Sequence, residues 1–287
     1  RRFDVVIVGG GVIGSAIAWR LAHYNVSAAV LDKASDVVRG TSGRNSGVVH
    51  AAFNPPVGSY KAILNLAGKS RFEEFCRTLG VPYRRTGKLV IAQDDSQIPQ
   101  LEALVKRGRA NGVDDLTLID GQKASELVPG LMVRAAMLSP STAITCPFTL
   151  TIVLAESAAC AGVKYFLRTK VFSLSRISSG YELKTSAGFF RAKAVVNAAG
   201  LGAVALARTL GLPVPRYRPV RGEYLIIDRE AESLLPMPVY PLPPNEGKSL
   251  GIHLTPSIDG TVLVGPTAEG VIDGENTRST KKVINKL

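Results

Sequence analysis

The feature that most constrains the fold of this chain is a glycine turn close to its start. A short apolar run at residues 3–8 leads into Gly9, Gly11 and Gly14, which have the spacing G-x-G-x-x-G. In this pattern the first glycine permits a tight turn, the second lets the backbone approach a pyrophosphate, and the third lets helix and strand pack closely. The pattern predicts a strand, a turn and a helix whose amino end faces phosphate groups.

An acidic residue follows at the expected distance. Asp32 comes eighteen positions after Gly14, at the end of the apolar run 28–31. A carboxylate at the end of a second strand can accept hydrogen bonds from ribose hydroxyls. A glycine-rich turn in another kind of α/β protein would leave Asp32 unexplained. Strand, turn, helix, strand and acid therefore predict a dinucleotide site.

Length and composition set further limits. The chain has 287 residues, of which 46% are hydrophobic, so it can bury the core of one large domain or two intertwined domains. It has no uninterrupted apolar stretch of about eighteen residues, so we expect no membrane span. Because the first strand begins at residue 3, we expect no signal peptide. Cys76, Cys146 and Cys160 lack metal-ligand spacing. We therefore expect free thiols and no metal site. Free thiols indicate a reducing compartment, either mitochondrial or cytoplasmic, and the cytoplasmic location includes the periphery of a membrane.

The chain is strongly basic. It has 35 Lys and Arg against 23 Asp and Glu, a net charge of +12. The charge could attract an anionic cofactor and substrate, hold the protein to an acidic membrane or a large assembly, or be balanced by an acidic segment elsewhere. The basic residues are dispersed and no nucleic-acid motif accompanies them, so specific nucleic-acid binding is not expected.

The order of the predicted elements is informative. A loop rich in glycine and hydroxyl groups at 39–47 interrupts the regular pattern. Helices are predicted at 15–24, 61–79, 96–111, 120–127, 147–161 and 200–211. Strands are predicted at 89–92, in a β-meander at 163–167, 171–177, 181–185 and 189–196, and in a second sheet at 218–228, 239–240, 249–254 and 261–264. Regular βα units do not follow the first one, so the order favours a flavoprotein over a nicotinamide dehydrogenase.

Several separated motifs carry a family resemblance. They are Val-Gly-Gly-Gly-Val-Ile-Gly (8–14), Gly-Thr-Ser-Gly-Arg-Asn-Ser-Gly-Val-Val-His (40–50), Asn-Ala-Ala-Gly-Leu (197–201), Arg-Gly-Glu-Tyr (221–224) and the run from His253 to Thr267. Together they resemble FAD-dependent oxidoreductases of the D-amino-acid-oxidase superfamily. Within it, the chain is most similar to anaerobic-type glycerol-3-phosphate dehydrogenases and L-2-hydroxyglutarate dehydrogenases.

The resemblance implies an α/β fold with two interleaved domains. A Rossmann-like FAD-binding domain with a β-meander would comprise 1–80 and 145–215. An α+β substrate domain with a mixed or antiparallel sheet would comprise 81–144 and 216–275. Relatives continue with a carboxy-terminal segment that completes the FAD sheet, and 276–287 would be the start of the helix that leads into it. A second chain that completes the flavin site is a further expectation.

The resemblance also implies a cofactor site for FAD. The three glycines would lie at the pyrophosphate, Asp32 at the adenosine ribose, and Val171 beside the adenine. The other residues expected to line the cofactor are Lys33, Thr41, Ser42, Arg44, Asn45, Ser46, Ala199 and Gly200.

Three residues are candidates for chemistry on the substrate side. Since imidazole titrates near neutral pH, His50 or His253 could act as a base, or each could be a structural histidine bonded to backbone. Arg221 could grip a phosphate or carboxylate, or form a salt bridge with Glu223. The resemblance adds Thr255 and the turn 265–267 to this side. His23 is expected to pack at the surface, and the three cysteines in the core.

Three functions stay open at this point. The first is FAD-dependent oxidation of a small anionic 2-hydroxy compound, with sn-glycerol 3-phosphate preferred and a quinone or another molecule as electron acceptor. The second is L-2-hydroxyglutarate oxidation. The third is a catalytically silent homologue that serves as a structural or interaction subunit of a larger assembly, with an acidic or an RNA-containing partner. One departure concerns the loop at the flavin, since the family often has glycine where this chain has Ala52.

Overall fold

The computed structural model describes residues 1–243, 251–281 and 285. The chain forms two compact units and passes between them three times. Unit 1 comprises Arg1–Asn45 and Pro147–Arg218, and unit 2 comprises Ser46–Cys146 and Pro219–Leu287. Residues 46–80, which the sequence assigned to the first domain, belong to unit 2, because Val48–Val49 pairs there with Ala143–Thr145.

The described residues contain six α-helices and eighteen strands. The helices are α1 (Val12–Leu21), α2 (Tyr60–Thr78), α3 (Ile98–Ala110), α4 (Gly121–Leu127), α5 (Pro147–Cys160) and α6 (Ala203–Arg208). The strands are β1 (Arg2–Val8), β2 (Ala28–Leu31), β3 (Val48–Val49), β4 (Tyr83–Arg85), β5 (Leu89–Ala92), β6 (Thr117–Asp120), β7 (Ala135–Leu138), β8 (Ala143–Thr145), β9 (Lys164–Phe166), β10 (Val171–Ile177), β11 (Gly180–Thr185), β12 (Gly188–Asn197), β13 (Val220–Arg221), β14 (Leu225–Ile227), β15 (Val239–Pro241), β16 (His253–Pro256), β17 (Val262–Gly265) and β18 (Glu269–Gly270).

Unit 1 is built on a six-stranded sheet with the order β10-β11-β12-β1-β2-β9. β1 pairs in parallel with β12 and β2, and β2 pairs in parallel with β9, whereas β10 to β12 form an antiparallel meander. Val6, Ile7 and Val30 are fully buried, as expected for strands in the middle of a sheet covered on both faces. The predicted Rossmann-like domain with a β-meander is confirmed.

Unit 2 is built on a seven-stranded mixed sheet with the order β14-β17-β16-β15-β5-β7-β6. β5 and β15 pair in parallel, and the other neighbours pair antiparallel. Leu101 and Leu104 of α3 pack with Val90 and Met137 in one buried apolar cluster. The predicted mixed sheet of a second domain is confirmed.

Some predicted elements differ from the structure. The strand predicted at 218–228 is split into β13 and β14, because the backbone of Glu223 bonds instead to Thr267, with N–H to Oγ1 at 3.2 Å and O to N–H at 3.1 Å. The strands β3, β4, β6, β7, β8 and β18 were not predicted from the sequence. The first part of the strand predicted at 249–254 lies outside the described residues, and so do residues 282–284, 286 and 287 of the helix predicted at 276–287, whereas residues 276–280 are described and are not helical. Within the described part of the chain, no helix is both long enough and apolar enough to cross a membrane.

Candidate functional site

The glycine turn of unit 1 has no room for side chains. Gly9 has a φ of +108°, and a Cβ there would lie 2.3 Å from the carbonyl oxygen of Ala198. A Cβ on Gly14 would lie 1.9 Å from the carbonyl oxygen of Gly9, so the first turn of α1 contacts the end of β1 directly. Glycine is therefore required at both positions by the backbone itself.

Both carboxylate oxygens of Asp32 accept hydrogen bonds, and one of these bonds comes from the glycine turn. Oδ2 accepts a hydrogen bond from the Gly10 N–H at 2.6 Å, and Oδ1 accepts one from the Ala34 N–H at 2.8 Å. A carboxylate oxygen can accept a second hydrogen bond, so this role leaves acceptor capacity for a ribose. Lys33, the next residue, has an exposed side chain.

The loop predicted to lie along the cofactor is held by its own side chains. Ser42 Oγ accepts a hydrogen bond from the Val12 N–H at 2.9 Å, so this hydroxyl occupies one N–H of the first turn of α1. Arg44 donates to the carbonyls of Arg39 and Gly40, and Asn45 donates to those of Thr41 and Ser42. Ser42, Arg44 and Asn45 thus order the loop around the amino end of α1, while Thr41 is exposed.

Three other predicted cofactor residues also belong to unit 1. Ala199 and Gly200 follow β12, and the Ala198 N–H donates to the Val8 carbonyl at 2.9 Å, which places this turn beside the end of β1. Val171 begins β10, two residues after Thr169, whose N–H donates to the Asp32 carbonyl at 2.7 Å. Ser46, by contrast, belongs to unit 2.

One face of the unit 2 sheet carries four buried polar side chains. We call them the polar row: Lys88, Tyr240, His253 and Thr255. β15, which carries Tyr240, lies between β16, which carries His253 and Thr255, and β5, which Lys88 precedes. All four are buried.

Lys88 is a buried cation that contacts aromatic rings. Its Nζ lies 4.0 Å from the ring centroid of Tyr240 and 4.7 Å from that of Phe53. The side chain is 3% exposed, and no described residue forms a hydrogen bond or ion pair with the ammonium. Because burial disfavours the charged form, the pKa of Lys88 is lowered to about 7.

His253 stacks on the opposite face of Tyr240, with centroids 3.6 Å apart and rings 17° from parallel. Its Nδ1 is 2.9 Å from the Gly251 carbonyl, which leaves Nε2 buried without a described partner. Burial lowers the pKa of His253 to about 4; the bond to the Gly251 carbonyl opposes this shift, and the charge of Lys88 adds a smaller contribution in the lowering direction.

The hydroxyls of the polar row are also sparsely bonded. Thr255 Oγ1 faces the Tyr240 hydroxyl closely enough to lower its pKa, yet it reaches no described partner at hydrogen-bonding distance. Burial outweighs this effect and raises the pKa of Tyr240 to about 12. Tyr240 therefore stays neutral and serves as an apolar spacer between Lys88 and His253.

His50 follows β3 and is exposed on one side, although protein atoms crowd the rest of its ring. Desolvation first, and then the positive charges of Lys88, His253 and Lys61 in that order, together lower the pKa of His50 to about 3. Solvent at the exposed side weakens each of these effects. The direction is the same for both histidines: each is a neutral imidazole at neutral pH, with a free lone pair but with lower basicity than an ordinary histidine.

Arg221 forms the salt bridge that the sequence left as one of two alternatives. Its Nε and Nη2 donate to Glu223 Oε1 at 3.0 and 2.7 Å, and Glu223 Oε2 accepts from the Thr280 N–H at 2.7 Å. Desolvation alone would raise the pKa of Glu223, but the donors from Thr280 and Arg221 together hold it below its usual range. The charge of Arg221 is thus balanced within unit 2.

The surroundings of His23 and the three cysteines indicate no role in chemistry. His23 Nδ1 lies 2.9 Å from the Trp19 carbonyl, and its ring packs on Trp19 at the surface, as predicted. Cys76 and Cys146 are buried, as predicted, whereas Cys160 is exposed at the end of α5, so its predicted place in the core was wrong; none of the three forms a disulfide. The described residues contain no group of three or more metal-ligating side chains.

Sequence reasoning missed Lys88 and Tyr240. The signal for Lys88 was its position, since it directly precedes the apolar run Leu89–Ala92, where a charged side chain has little access to water. Tyr240 stands among prolines that suggested a linker more than a site.

A family model described as FAD dependent oxidoreductase matches residues 4–287. The chain belongs to this family. It is 35% identical over 285 residues to a glycerol 3-phosphate dehydrogenase of Caloramator mitchellensis, and the match covers 99% of this chain and 59% of that protein. It is 34% identical over 278 residues to a mitochondrial L-2-hydroxyglutarate dehydrogenase of Caenorhabditis elegans, covering 93% of this chain and 64% of that protein. The chain therefore spans about three fifths of the length of these relatives.

Solved structures agree with this family membership. The fold is similar to that of the dithionite-reduced L-alpha-glycerophosphate oxidase of Mycoplasma pneumoniae with FAD bound, with a TM-score of 0.94 and 29% identity. The match covers all of this chain and 77% of that one. FAD is the cofactor of the family. The tight packing at Gly9 and Gly14 and the lack of any backbone neighbour at Gly11 match the turn that binds a pyrophosphate in such folds.

Proposed function

We propose that the protein to which this chain belongs oxidises the alcohol of a small anionic 2-hydroxy compound, with sn-glycerol 3-phosphate as the preferred substrate. FAD supplies the hydride acceptor, and a quinone or another molecule then takes the electrons. The observation that carries the proposal is the association in unit 2 of two neutral imidazoles with a buried cation.

Alcohol oxidation requires a group that takes the hydroxyl proton. In the proposed reaction His50 has this role, because its imidazole is neutral and has a solvent-exposed side. His253 is the alternative base, since its buried Nε2 lacks a partner in the described chain. The positive potential of Lys88 favours an anionic substrate and the alkoxide that forms as the proton leaves.

The turn in unit 1 holds the cofactor in this proposal. Gly9 and Gly14 allow the close packing of the turn, a Cβ on Gly11 would meet only the Ser42 hydroxyl, and Asp32 has acceptor capacity for the ribose. The pyrophosphate would approach the backbone at Gly11 and the amino end of α1. The electron acceptor, a second chain at the flavin and attachment to an acidic membrane remain proposals that follow from the resemblance and the charge of +12. The free thiols are compatible with the proposed reducing compartment, cytoplasmic or mitochondrial.

Similarity to both relatives keeps L-2-hydroxyglutarate as the second candidate substrate. Anaerobic mixing of the FAD-containing protein with each compound, followed by the loss of flavin absorbance, distinguishes the two. We expect fast bleaching by sn-glycerol 3-phosphate and slow bleaching by L-2-hydroxyglutarate. The opposite order assigns the second substrate, and retained flavin that neither compound bleaches refutes both and favours the catalytically silent homologue.

Histidine variants test the base. We expect His50→Asn to slow flavin reduction by about 100-fold or more, the usual contribution of a general base. His23→Gln is the matched control, because His23 is an exposed histidine of unit 1. Unchanged reduction in His50→Asn with slow reduction in His253→Gln would transfer the role to His253.

A further inference from the structure

The first half of α2 turns apolar side chains toward solvent. They begin in the turn before the helix, and we call them the apolar stripe: Val57, Tyr60, Ile63 and Leu64. Their exposed fractions are 58, 83, 53 and 66%, whereas Ala62, between them in the chain, is buried. Contiguous exposed apolar side chains mark surfaces that meet a partner or a membrane.

The stripe follows the helical repeat. Tyr60, Ile63 and Leu64 are three and four residues apart, which places them side by side on one face of α2. In the second half of the helix the same face carries Arg71 and Glu74, which are exposed and charged, as expected for a face in water. The apolar character is therefore confined to the beginning of this face.

The segment before α2 is held in place, so the stripe is a formed surface. Asn111 Nδ2 donates a hydrogen bond to the Pro55 carbonyl at 2.9 Å. Ser59 Oγ donates to the Pro56 carbonyl at 2.6 Å and accepts from the Ala62 N–H at 3.2 Å, which caps the helix. Because exposure of these apolar side chains to water is unfavourable, we look for its reason in function.

The surroundings of the stripe are basic. Residues 46–72 contain no Asp or Glu, but they contain Lys61, Lys69 and Arg71. Lys61 and Arg71 are exposed. Apolar side chains flanked by Lys and Arg are typical of a helix that lies in the plane of a membrane surface. There the apolar face enters the boundary of the acyl chains, and the cations are attracted to acidic headgroups.

We propose that the apolar stripe docks the protein on a membrane surface that contains acidic lipids. Tyr60 suits the level of the headgroups, where an aromatic ring with a polar tip is favoured. The net charge of +12 acts in the same direction, because it attracts the chain to a negative surface.

A second copy of the chain fits this surface less well. In a two-fold dimer the same patch meets itself, so Lys61 and Arg71 would face their own copies, and residues 46–72 offer no carboxylate to pair with them. A standard protein interface also engages about 20 to 30 residues on each side, far more than the stripe provides. An interfacial helix, by contrast, gains about fivefold in affinity for acidic lipid from each cation near the surface.

The location of the stripe agrees with the proposed function, on which the purpose of docking rests. Lys61, within the stripe, is close enough to His50 for its charge to act on the imidazole. The surface beside the proposed base would therefore face the lipid, in which a quinone dissolves. Docking itself requires neither substrate nor electron acceptor.

Vesicle binding tests the proposal. The purified FAD-containing protein is sedimented with vesicles of phosphatidylcholine alone, or of phosphatidylcholine and phosphatidylglycerol in equal parts. We expect binding to the acidic vesicles that weakens as salt is added, and little binding to the neutral ones. The double variant Ile63→Gln/Leu64→Gln should bind about tenfold more weakly or less, because two inserted apolar side chains are lost. Lys61→Gln should bind about fivefold more weakly.

Two controls match these changes elsewhere in the chain. Met132→Gln removes a 93% exposed apolar side chain of unit 2, and Lys184→Gln removes an exposed lysine of unit 1. Neither should change the affinity for acidic vesicles. Because all the replaced side chains are exposed, we expect each variant to keep the melting temperature of the original protein.

A tryptophan at the stripe reports which surface enters the lipid. In Tyr60→Trp the added fluorescence should shift to shorter wavelength on acidic vesicles and be quenched by brominated lipids, with the emission of the original protein as reference. Bound protein without this shift overturns the proposal, and so does unchanged binding of Ile63→Gln/Leu64→Gln or equal affinity for neutral vesicles. A dimer in solution that the double variant converts to a monomer also overturns it and assigns the stripe to a second copy.

Docking and the proposed function fail separately. Bleaching of the flavin by a 2-hydroxy compound requires no vesicles, so normal bleaching without vesicle binding overturns docking alone. Vesicle binding through the stripe, in a protein whose flavin neither 2-hydroxy compound bleaches, supports docking and refutes the proposed function.

Discussion

In unit 1 the candidate site is shaped by the absence of side chains, whereas in unit 2 it is shaped by buried side chains without partners. The turn at Gly9 and Gly14 brings backbone within contact of backbone, and Asp32 accepts one hydrogen bond from it, from the Gly10 N–H. The polar row instead holds Lys88 and His253 on opposite faces of one ring. Steric fit therefore governs the first site, and electrostatics governs the second.

The largest effect should come from adding one methyl group to the glycine turn. In Gly14→Ala the new Cβ would overlap the Gly9 carbonyl oxygen, so we expect loss of bound FAD and a melting temperature lower by about 10 °C. Flavin absorbance per protein measures the bound FAD, and thermal unfolding measures the melting temperature. Gly40→Ala is the control, because nothing lies within 4 Å of the added Cβ. Full FAD content in Gly14→Ala would show that the turn is less tight than described.

The second-largest effect should come from breaking the ion pair of Arg221 with Glu223 in unit 2. Glu223→Gln leaves Arg221 without its carboxylate, and breaking a buried pair is strongly destabilising, so we expect a melting temperature lower by about 5 °C or more. Because the pKa of Glu223 is lowered in the folded protein, this difference should be complete above about pH 4.5 and shrink as the pH falls. Glu74→Gln, which breaks the exposed pair with Arg77, should change little.

Removing the unpaired charge of Lys88 should have the opposite effect and stabilise the protein. We expect Lys88→Met to raise the free energy of unfolding at pH 7 by about 1 to 3 kcal/mol, because an apolar side chain of similar size replaces a buried ammonium. The pKa of Lys88 falls from 10.5 to about 7 on folding, so between these values the unfolded chain binds more protons and the original protein gains stability as the pH rises.

The advantage of Lys88→Met should therefore shrink between pH 7 and pH 10. Guanidinium unfolding at both pH values measures it. A variant less stable than the original protein at pH 7 would mean that the ammonium is compensated, and the contrast with Arg221 would disappear.

The smallest change in stability should come from a substitution of Ala52. Its φ of +69° lies in the left-handed region, where an L residue is strained by roughly 1 to 2 kcal/mol and where the glycine expected from the family resemblance would fit without strain. Ala52→Gly removes this strain but loses a buried methyl worth about 0.8 kcal/mol and makes the unfolded chain more flexible. We expect a change in unfolding free energy within about 1 kcal/mol. A large loss of stability would show that packing of this methyl dominates.

The same contrast explains what the sequence could predict. The site of unit 1 depends on local spacing, so Gly9, Gly14 and Asp32 were identified from a run of 32 residues, and the meander was predicted strand by strand. The chain crossing at residue 46 was missed, because the short strand β3 is defined only by its distant partner β8. Strand β7 was missed for a similar reason, since its alanines have little strand preference of their own.

The polar row could not be predicted as a set. Histidine motifs pointed to His50 and His253, but nothing in the local sequence showed that Lys88 contacts Tyr240, a residue far along the chain. The two functions considered for Arg221 could not be separated either, because the choice depends on how Glu223 and Thr280 meet it. Whether a charge is paired depends on the tertiary structure, and this pairing is what distinguishes Arg221 from Lys88.

The parallel pairing of β5 with β15 has a consequence for the growing chain. The register joins Leu89 to Val239, about 150 residues apart, so a ribosome must complete β15 before Lys88 can meet the ring of Tyr240. Until then its amine is hydrated and has ordinary basicity. Because the side chain is 3% exposed in the finished fold, protection of Lys88 from acylating reagents would mark a finished molecule and distinguish it from a nascent chain or a truncated product.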